Sequence, residues 1–253
     1  MTKRNTDMDT SGDRCALDRT GAPPYNHNLG GTLQGGRMQA AFFDLDKTLI
    51  TVNSARLWMM RMYRQGRVGR MDIAAGGLFL LAYHLGVVDM ERATRKALST
   101  VIGSSEDELR RETEAWFNEE VIPVEAPGAR GVIEEHRRAG HRLVLLTSSS
   151  PYASACAVAH WGLDDFLSMR YQIVDGRFTG GVVLPLCFRE GKVHYAEALA
   201  AAEGIDLDES WFYTDSTTDL PMLERVGHPQ VVGPDPRLRR EARRRGWPIL
   251  DWS

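Results

Sequence analysis

Residues 40–49, AAFFDLDKTL, join an apolar run to two aspartates and a threonine. The run AAFF reads as a short buried strand. Acids placed directly after a buried strand are costly unless a cation or a substrate needs them. Open parallel sheets bring their ligands to the carboxyl ends of their strands, so this junction points to a fold with such an edge. A carboxylate is able to attack phosphorus as a nucleophile, and a second one two residues on is able to move protons. That makes Asp44 and Asp46 the first candidates for chemistry. The pattern D-x-D-x-T is short and common, so alone it does not decide between a catalytic and a non-catalytic role.

The rest of the chain supplies the context. Residues 51 to about 125 read as helical throughout: amphipathic from Leu57, strongly apolar over Met71–Val88, amphipathic again over Met90–Ile102 and Glu106–Phe117, and closed by Pro123 and Pro127. Strands and helices then alternate. Helices are expected at Ala129–Ala139 (stopped by Gly140), Pro151–Trp161 (capped by Ser150, ended at Gly162), Lys192–Glu203, Leu220–Val226 and Arg237–Arg245. HRLVLLT, WFYT, QVVG and PILDW read as strands, and MRYQIV and RFTGGVV around Asp175-Gly176 as a hairpin. This order predicts an α/β fold: a doubly wound, mostly parallel sheet with an inserted α-helical cap. Residues 39–52 and 124–253 form the expected core, 53–123 the cap, and 1–38, which lack any apolar period, a disordered tail.

Composition narrows the class. Of 253 residues, 43% are hydrophobic and 26% charged, ordinary values for a soluble globular chain. A net charge of −3 gives no general reason to expect a nucleic-acid partner. Cys15, Cys156 and Cys187 are few and widely spaced, which argues against a disulfide framework or a structural zinc site and fits a reducing cytoplasm. The N-terminal residues contain no apolar core of a secretory signal.

Three further segments carry reactive groups. HRLVLL ends in Thr147-Ser148-Ser149-Ser150, hydroxyl and N–H groups that suit an anion or simply cap the next helix. Lys192 opens a helix, where its charge opposes the dipole; it balances a nearby anion or stands in solvent. Asp215 follows the strand WFYT, and Asp219 lies where a helix begins, as an N-cap or as a working acid. Two acidic groups at strand ends suit a hard, oxygen-liganded cation such as Mg²⁺.

FFDLDKT, LLTSS, GK and YTDSTTD, in this order, resemble the four motifs of the haloacid dehalogenase superfamily of phosphohydrolases. The cap position and the ending from DLPMLERV onward resemble its phosphoserine-phosphatase-like subfamily, and the likeness spans residues 40 to about 251. The resemblance implies Asp44 as the nucleophile and Asp46 as the general acid and base. It implies Thr147, with Ser148, and Lys192 as the phosphate-binding groups. It implies Asp44, the backbone carbonyl of Asp46, and Asp215 as Mg²⁺ ligands, with Asp219 supporting them. Lys47 and Thr214 depart from the family, standing where many relatives have glycine.

The expected function is therefore Mg²⁺-dependent hydrolysis of a small phosphorylated metabolite through a phospho-aspartate. The alternatives are a lipid head-group phosphatase, a phosphotransferase or mutase, and a non-catalytic phosphate-binding protein. Asn53, Arg56, Arg61, Arg64 and Arg67 are candidate substrate contacts in the cap, against solvated arginines as the plainer reading. Ile73–Val88 is shorter than a transmembrane helix, so burial within the cap is favoured over membrane contact. The six arginines of residues 237–246 lack interleaved aromatics, so a solvated face is favoured over nucleic acid. Nothing in the sequence fixes an oligomeric state.

Overall fold

The computed structural model describes residues 37–84 and 89–252. Residues 1–36 of the expected tail and the last residues of the apolar stretch lie outside this range. Arg37 and Met38, on the tail side of the expected boundary, are tied to the core. Met38 donates its N–H to Gly204 O at 3.2 Å and accepts from Asp206 N at 2.8 Å, and Arg37 pairs with Asp206 at 3.0 Å.

Strand β1 (Ala40–Phe43) leads into four helices, α1 (Ser54–Arg64), α2 (Arg70–His84), α3 (Met90–Ser99) and α4 (Glu106–Trp116). A π turn and a 3₁₀ turn over Phe117–Val124 then return the chain to α5 (Ala129–Ala139) and β2 (Arg142–Leu146). There follow α6 (Pro151–Trp161), β3 (Asp165–Leu167), the hairpin β4 (Tyr171–Val174) and β5 (Arg177–Val182), and α7 (Glu190–Glu203). The chain closes with β6 (Trp211–Thr214), α8 (Leu220–Arg225), β7 (His228–Val232), α9 (Pro236–Arg245) and β8 (Ile249–Leu250).

Six strands form one parallel sheet in the order β3-β2-β1-β6-β7-β8. Its central strands are apolar over Ala40–Phe43, Leu143–Leu146 and Trp211–Tyr213 because both faces are covered there. Ala41, Phe43, Leu143, Leu145 and Tyr213 pack on one side with residues of α5 and α6, including Ile133 and Ala157. Ala40, Phe42, Val144, Leu146 and Phe212 pack on the other with residues of α7, α8 and α9, including Leu199, Met222 and Leu238. Helix ends follow their local chemistry. Ser150 Oγ accepts from Ala153 N at 3.2 Å, and Gly162 ends α6 at φ 64°, a left-handed conformation that costs glycine least.

The expected elements form with small shifts, but the burial expected of the apolar stretch is not seen: none of residues 73–78 of α2 is buried. α7 begins two residues before Lys192 and β7 two before Gln230. β3 was not expected, because DFL carries an acid and spans three residues; it exists by pairing with β2. The hairpin turns at Asp175 and Gly176, both left-handed (φ 48° and 70°), as a two-residue turn of this type requires. It docks on the helical insert: Gly103 N donates to Phe178 O at 2.8 Å, and Leu98, Tyr152, Phe178 and Val182 form a small apolar cluster.

Beneath the sheet, buried His136 bonds Tyr213 Oη through Nε2 and His141 Nδ1 through Nδ1, each at 2.8 Å. Burial, aided by His141, pushes His136 down to about 4 from its ordinary 6.5. With the folded value below the unfolded one, its stabilising share is complete above pH 6.5 and is lost as pH falls toward 4. We expect His136→Gln to remove on the order of 2–3 kcal/mol of acid destabilisation across that window, read from urea midpoints at several pH values. Parallel stability–pH curves for the two proteins would contradict it.

Candidate active site

Topology puts the reactive groups at one edge. β1 neighbours β2 on one side and β6 on the other, and the sheet runs outward from this pair in opposite directions. That is a switch point, where adjacent loops diverge and leave a crevice at the carboxyl ends of the strands. Asp44 and Asp46 leave from β1, Thr147 and Ser148 from β2, and Asp215 and Asp219 from β6. The Asp44 N–H donates to Tyr213 O at 2.9 Å, extending the ladder up to the first acid.

Lys192 joins these groups. Its side chain is 2% exposed, and its ammonium donates to Asp44 Oδ1 at 2.9 Å and Asp219 Oδ2 at 2.8 Å. Thr214 Oγ1 donates to the same Asp219 oxygen at 2.7 Å. Asp219 therefore points inward and makes no side-chain bond to the helix it precedes. Thr214, which stands where many relatives have glycine, orients this acid.

Asp46 faces the insert. Its Oδ1 accepts from Ser54 N at 2.8 Å and its Oδ2 from Asn53 Nδ2 at 3.0 Å. Lys47 takes a left-handed φ of 53°, a conformation glycine adopts without strain, and its ammonium stands 4.0 Å from Asp215 Oδ2. Thr147 is buried and its Oγ1 accepts from Ser149 N at 3.3 Å. Ser148 Oγ donates to Cys187 O at 3.0 Å, so its backbone N–H rather than its hydroxyl is the group left to offer an anion.

Four carboxylates thus gather against the ammonium groups of Lys192 and Lys47. Burial pushes Asp44 up to about 7 despite Lys192, and it raises Asp46 and, well above the usual range, Asp215. A buried excess of negative charge of this kind fits a divalent cation, and carboxylate and carbonyl oxygens are the donors Mg²⁺ takes. Among the described residues no three acidic, histidine or cysteine side chains converge as a self-sufficient metal cage. The expected set uses two carboxylates and one carbonyl, leaving positions for water and substrate as Mg²⁺ sites commonly do.

The insert's arginines are mostly engaged elsewhere. Arg61 bonds Glu119 at 2.7 Å and Glu120 at 3.1 Å, Arg64 pairs with Glu120, and Arg67 with Glu112. Arg56 is exposed on α1. Among the described residues no helix is long and apolar enough to cross a membrane.

The sequence profile of the haloacid dehalogenase-like hydrolases matches residues 41–224. A phosphoserine phosphatase of Mycobacterium tuberculosis is 36% identical over 218 residues, covering 84% of this chain and 70% of that protein. A histidinol-phosphatase of Neisseria meningitidis is 29% identical over 218 residues, covering 84% and 98%. A protein of unknown function from Bordetella pertussis has a crystal structure that superposes with a TM-score of 0.77 at 30% identity, covering 86% of this chain and 100% of that one. The motifs at the sheet edge, the fold that carries them and these likenesses agree, and the chain belongs to the haloacid dehalogenase-like hydrolase family.

Proposed function

We propose that this enzyme is a phosphatase that hydrolyses a small phosphorylated metabolite with Mg²⁺, through a phospho-aspartate on Asp44. One observation carries the reading: the buried Lys192 ammonium bridges Asp44 and Asp219 at the switch point of the sheet, 2.9 and 2.8 Å away. A carboxylate nucleophile meets a phosphate dianion only where positive charge is fixed beside both. The helices between β1 and β2 serve as the cap that excludes water.

In the first step an Asp44 oxygen attacks phosphorus and the bond from phosphorus to the substrate's ester oxygen breaks. The Asp46 carboxyl gives its proton to that oxygen, releasing an alcohol and leaving Asp46 as a carboxylate. Asp46 then takes a proton from water as the water oxygen attacks phosphorus. The bond to Asp44 breaks, yielding inorganic phosphate and the original carboxylate. Thr147 Oγ1 and the Ser148 N–H hold the phosphoryl oxygens, and Lys192 balances their charge. Asp44, the Asp46 carbonyl and Asp215 would hold Mg²⁺, which when bound neutralises phosphoryl charge as a Lewis acid.

The relatives named for phosphoserine and histidinol phosphate act on different small monoesters, so the proposal stops at that class. Phosphate release from a panel of small monoesters is expected to require Mg²⁺ and to stop with chelator. Asp46→Asn is expected to lower kcat/KM on alkyl phosphates by about 10²–10⁴-fold, the usual worth of a positioned proton donor. Release that is indifferent to chelator, or an Asp46→Asn enzyme of full activity on alkyl phosphates, would refute the scheme.

One observation favours a lipid head-group phosphate instead: Met71 and Leu78 of α2 are 81% and 68% exposed. Silence on every small monoester together with hydrolysis in mixed micelles would select that reading.

A further inference from the structure

Asp46 is held by the first turn of the helical insert, and one side chain does two jobs there. Asn53 has the extended backbone of an N-cap (φ −88°, ψ 123°), and its Oδ1 accepts from Arg56 N at 3.1 Å to start α1. The opposite end of the same amide donates from Nδ2 to Asp46 Oδ2 at 3.0 Å. The next residue donates its N–H to Asp46 Oδ1 at 2.8 Å. Its hydroxyl, Ser54 Oγ, lies 3.4 Å from Ser149 Oγ in the loop after β2. The Asp46 carboxyl, the N-terminus of α1 and the loop carrying Thr147 are therefore one connected group.

The residue type matters. Among good N-caps, aspartate has no proton to donate to a second carboxylate, and serine and threonine carry their single hydroxyl on a shorter stem. Asparagine alone in that set offers a carbonyl acceptor to the helix and an N–H donor to the acid from opposite corners of one rigid plane.

We infer that Asn53 is a positioning residue: it fixes the Asp46 carboxyl in one orientation for proton transfer and makes that orientation depend on α1 being seated at the site. The inference rests on Asp46 being the proton donor proposed above, and it adds the device that aims it. Asn53 acts through Asp46, so its removal should matter in proportion to how much the leaving group needs a proton. An alkoxide needs one. A 4-nitrophenolate departs readily without it.

The test compares kcat/KM, which reports the steps up to formation of the phospho-aspartate, for an alkyl phosphate and for 4-nitrophenyl phosphate. The proteins are wild type, Asn53→Ser, Asn53→Asp, Asp46→Asn and the double variant Asp46→Asn/Asn53→Ser. Serine and aspartate both keep a capping oxygen for α1, so the thermal midpoint should move by no more than about 3 °C. Asn53→Ser should lose about 10–100-fold on the alkyl phosphate, within the range of a proton-transfer contribution, and less than about 3-fold on the aryl one. Asn53→Asp, which sets a carboxylate against Asp46, should show at least the same bias. Adding Asn53→Ser to Asp46→Asn should cost nothing further, because residues acting as a unit are not additive.

Equal losses on both substrates that persist on top of Asp46→Asn would overturn the inference, as would unchanged kcat/KM in both Asn53 variants. If Asp46→Asn shows the leaving-group bias and Asn53→Ser does not, the inference fails and the proton-donor role of Asp46 survives. If Asp46→Asn itself shows no bias, the proton-donor role fails and takes the inference with it.

Discussion

Asp44→Asn is expected to stop turnover, with kcat down at least about 10⁴-fold, while the protein stays folded. The amide has the shape of the carboxylate and its carbonyl still accepts from the Lys192 ammonium, now 2.9 Å from Asp44 Oδ1. What it lacks is an anionic oxygen to attack phosphorus. The folding cost should be small for a second reason. Asp44 is raised to about 7 chiefly by burial, with the nearby Asp219 and Asp46 charges adding to that push. Replacing it with a neutral group relieves this repulsion while weakening one charged hydrogen bond. The thermal midpoint should therefore fall within about 5 °C of wild type at pH 7, since 1 kcal/mol moves a chain of this size by only a few degrees. Two measurements decide it: phosphate release at saturating substrate, and recovery of an acid-quenched acyl phosphate from wild type but not from the variant. A folded Asp44→Asn protein that still forms a covalent phosphoryl adduct would place the nucleophile elsewhere.

How far these groups are legible in the sequence depends on whether their signal is local. The strands AAFF, RLVLL and WFYT announce themselves because a strand buried on both faces has no polar position to interrupt it. Asp44 and Asp215 are legible for a related reason: each is an acid directly after such a run. β3 is not, because DFL acquires its strand geometry from the register Val144–Asp165 to Leu146–Leu167 on its neighbour. The inward turn of Asp219 is equally silent. Its position suits an N-cap, and only Lys192 and Thr214, brought together by the fold, decide against capping. Arg61, Arg64 and Arg67 suggest anion readers on sequence, yet their carboxylates come from residues 45 to 59 positions away. Asn53 falls between the two cases: its capping role is written in the local pattern, while its bond to Asp46 emerges only when α1 is seated at the edge of the sheet.

Lys192→Met is the substitution expected to cost most in stability. The lysine is 2% exposed, its ammonium lies between Asp44 and Asp219, and it sits 5.4 Å from the centre of the Phe212 ring. Methionine keeps most of the stem and its packing, so the change removes chiefly the charge. Two buried carboxylates then lose their shared partner, and breaking one side of such a cluster typically costs about 3–5 kcal/mol. For a chain of this size that is a fall of roughly 10 °C in thermal midpoint. The sign of its pH dependence follows from the acids left behind. Without the ammonium, Asp44 titrates above the value of about 7 it has beside Lys192. An acid whose folded value is raised leaves stability intact at low pH and withdraws it as pH rises through that value. The gap between variant and wild type should therefore be small near pH 5 and widen as pH rises past about 7, the reverse of ordinary acid denaturation. Adding Asp219→Asn should recover part of the loss, because one of the two uncompensated charges is gone, and Mg²⁺ should recover part by supplying positive charge nearby. A variant as stable as wild type at pH 8, or one whose deficit grows on acidification, would mean that Lys192 does not neutralise this site.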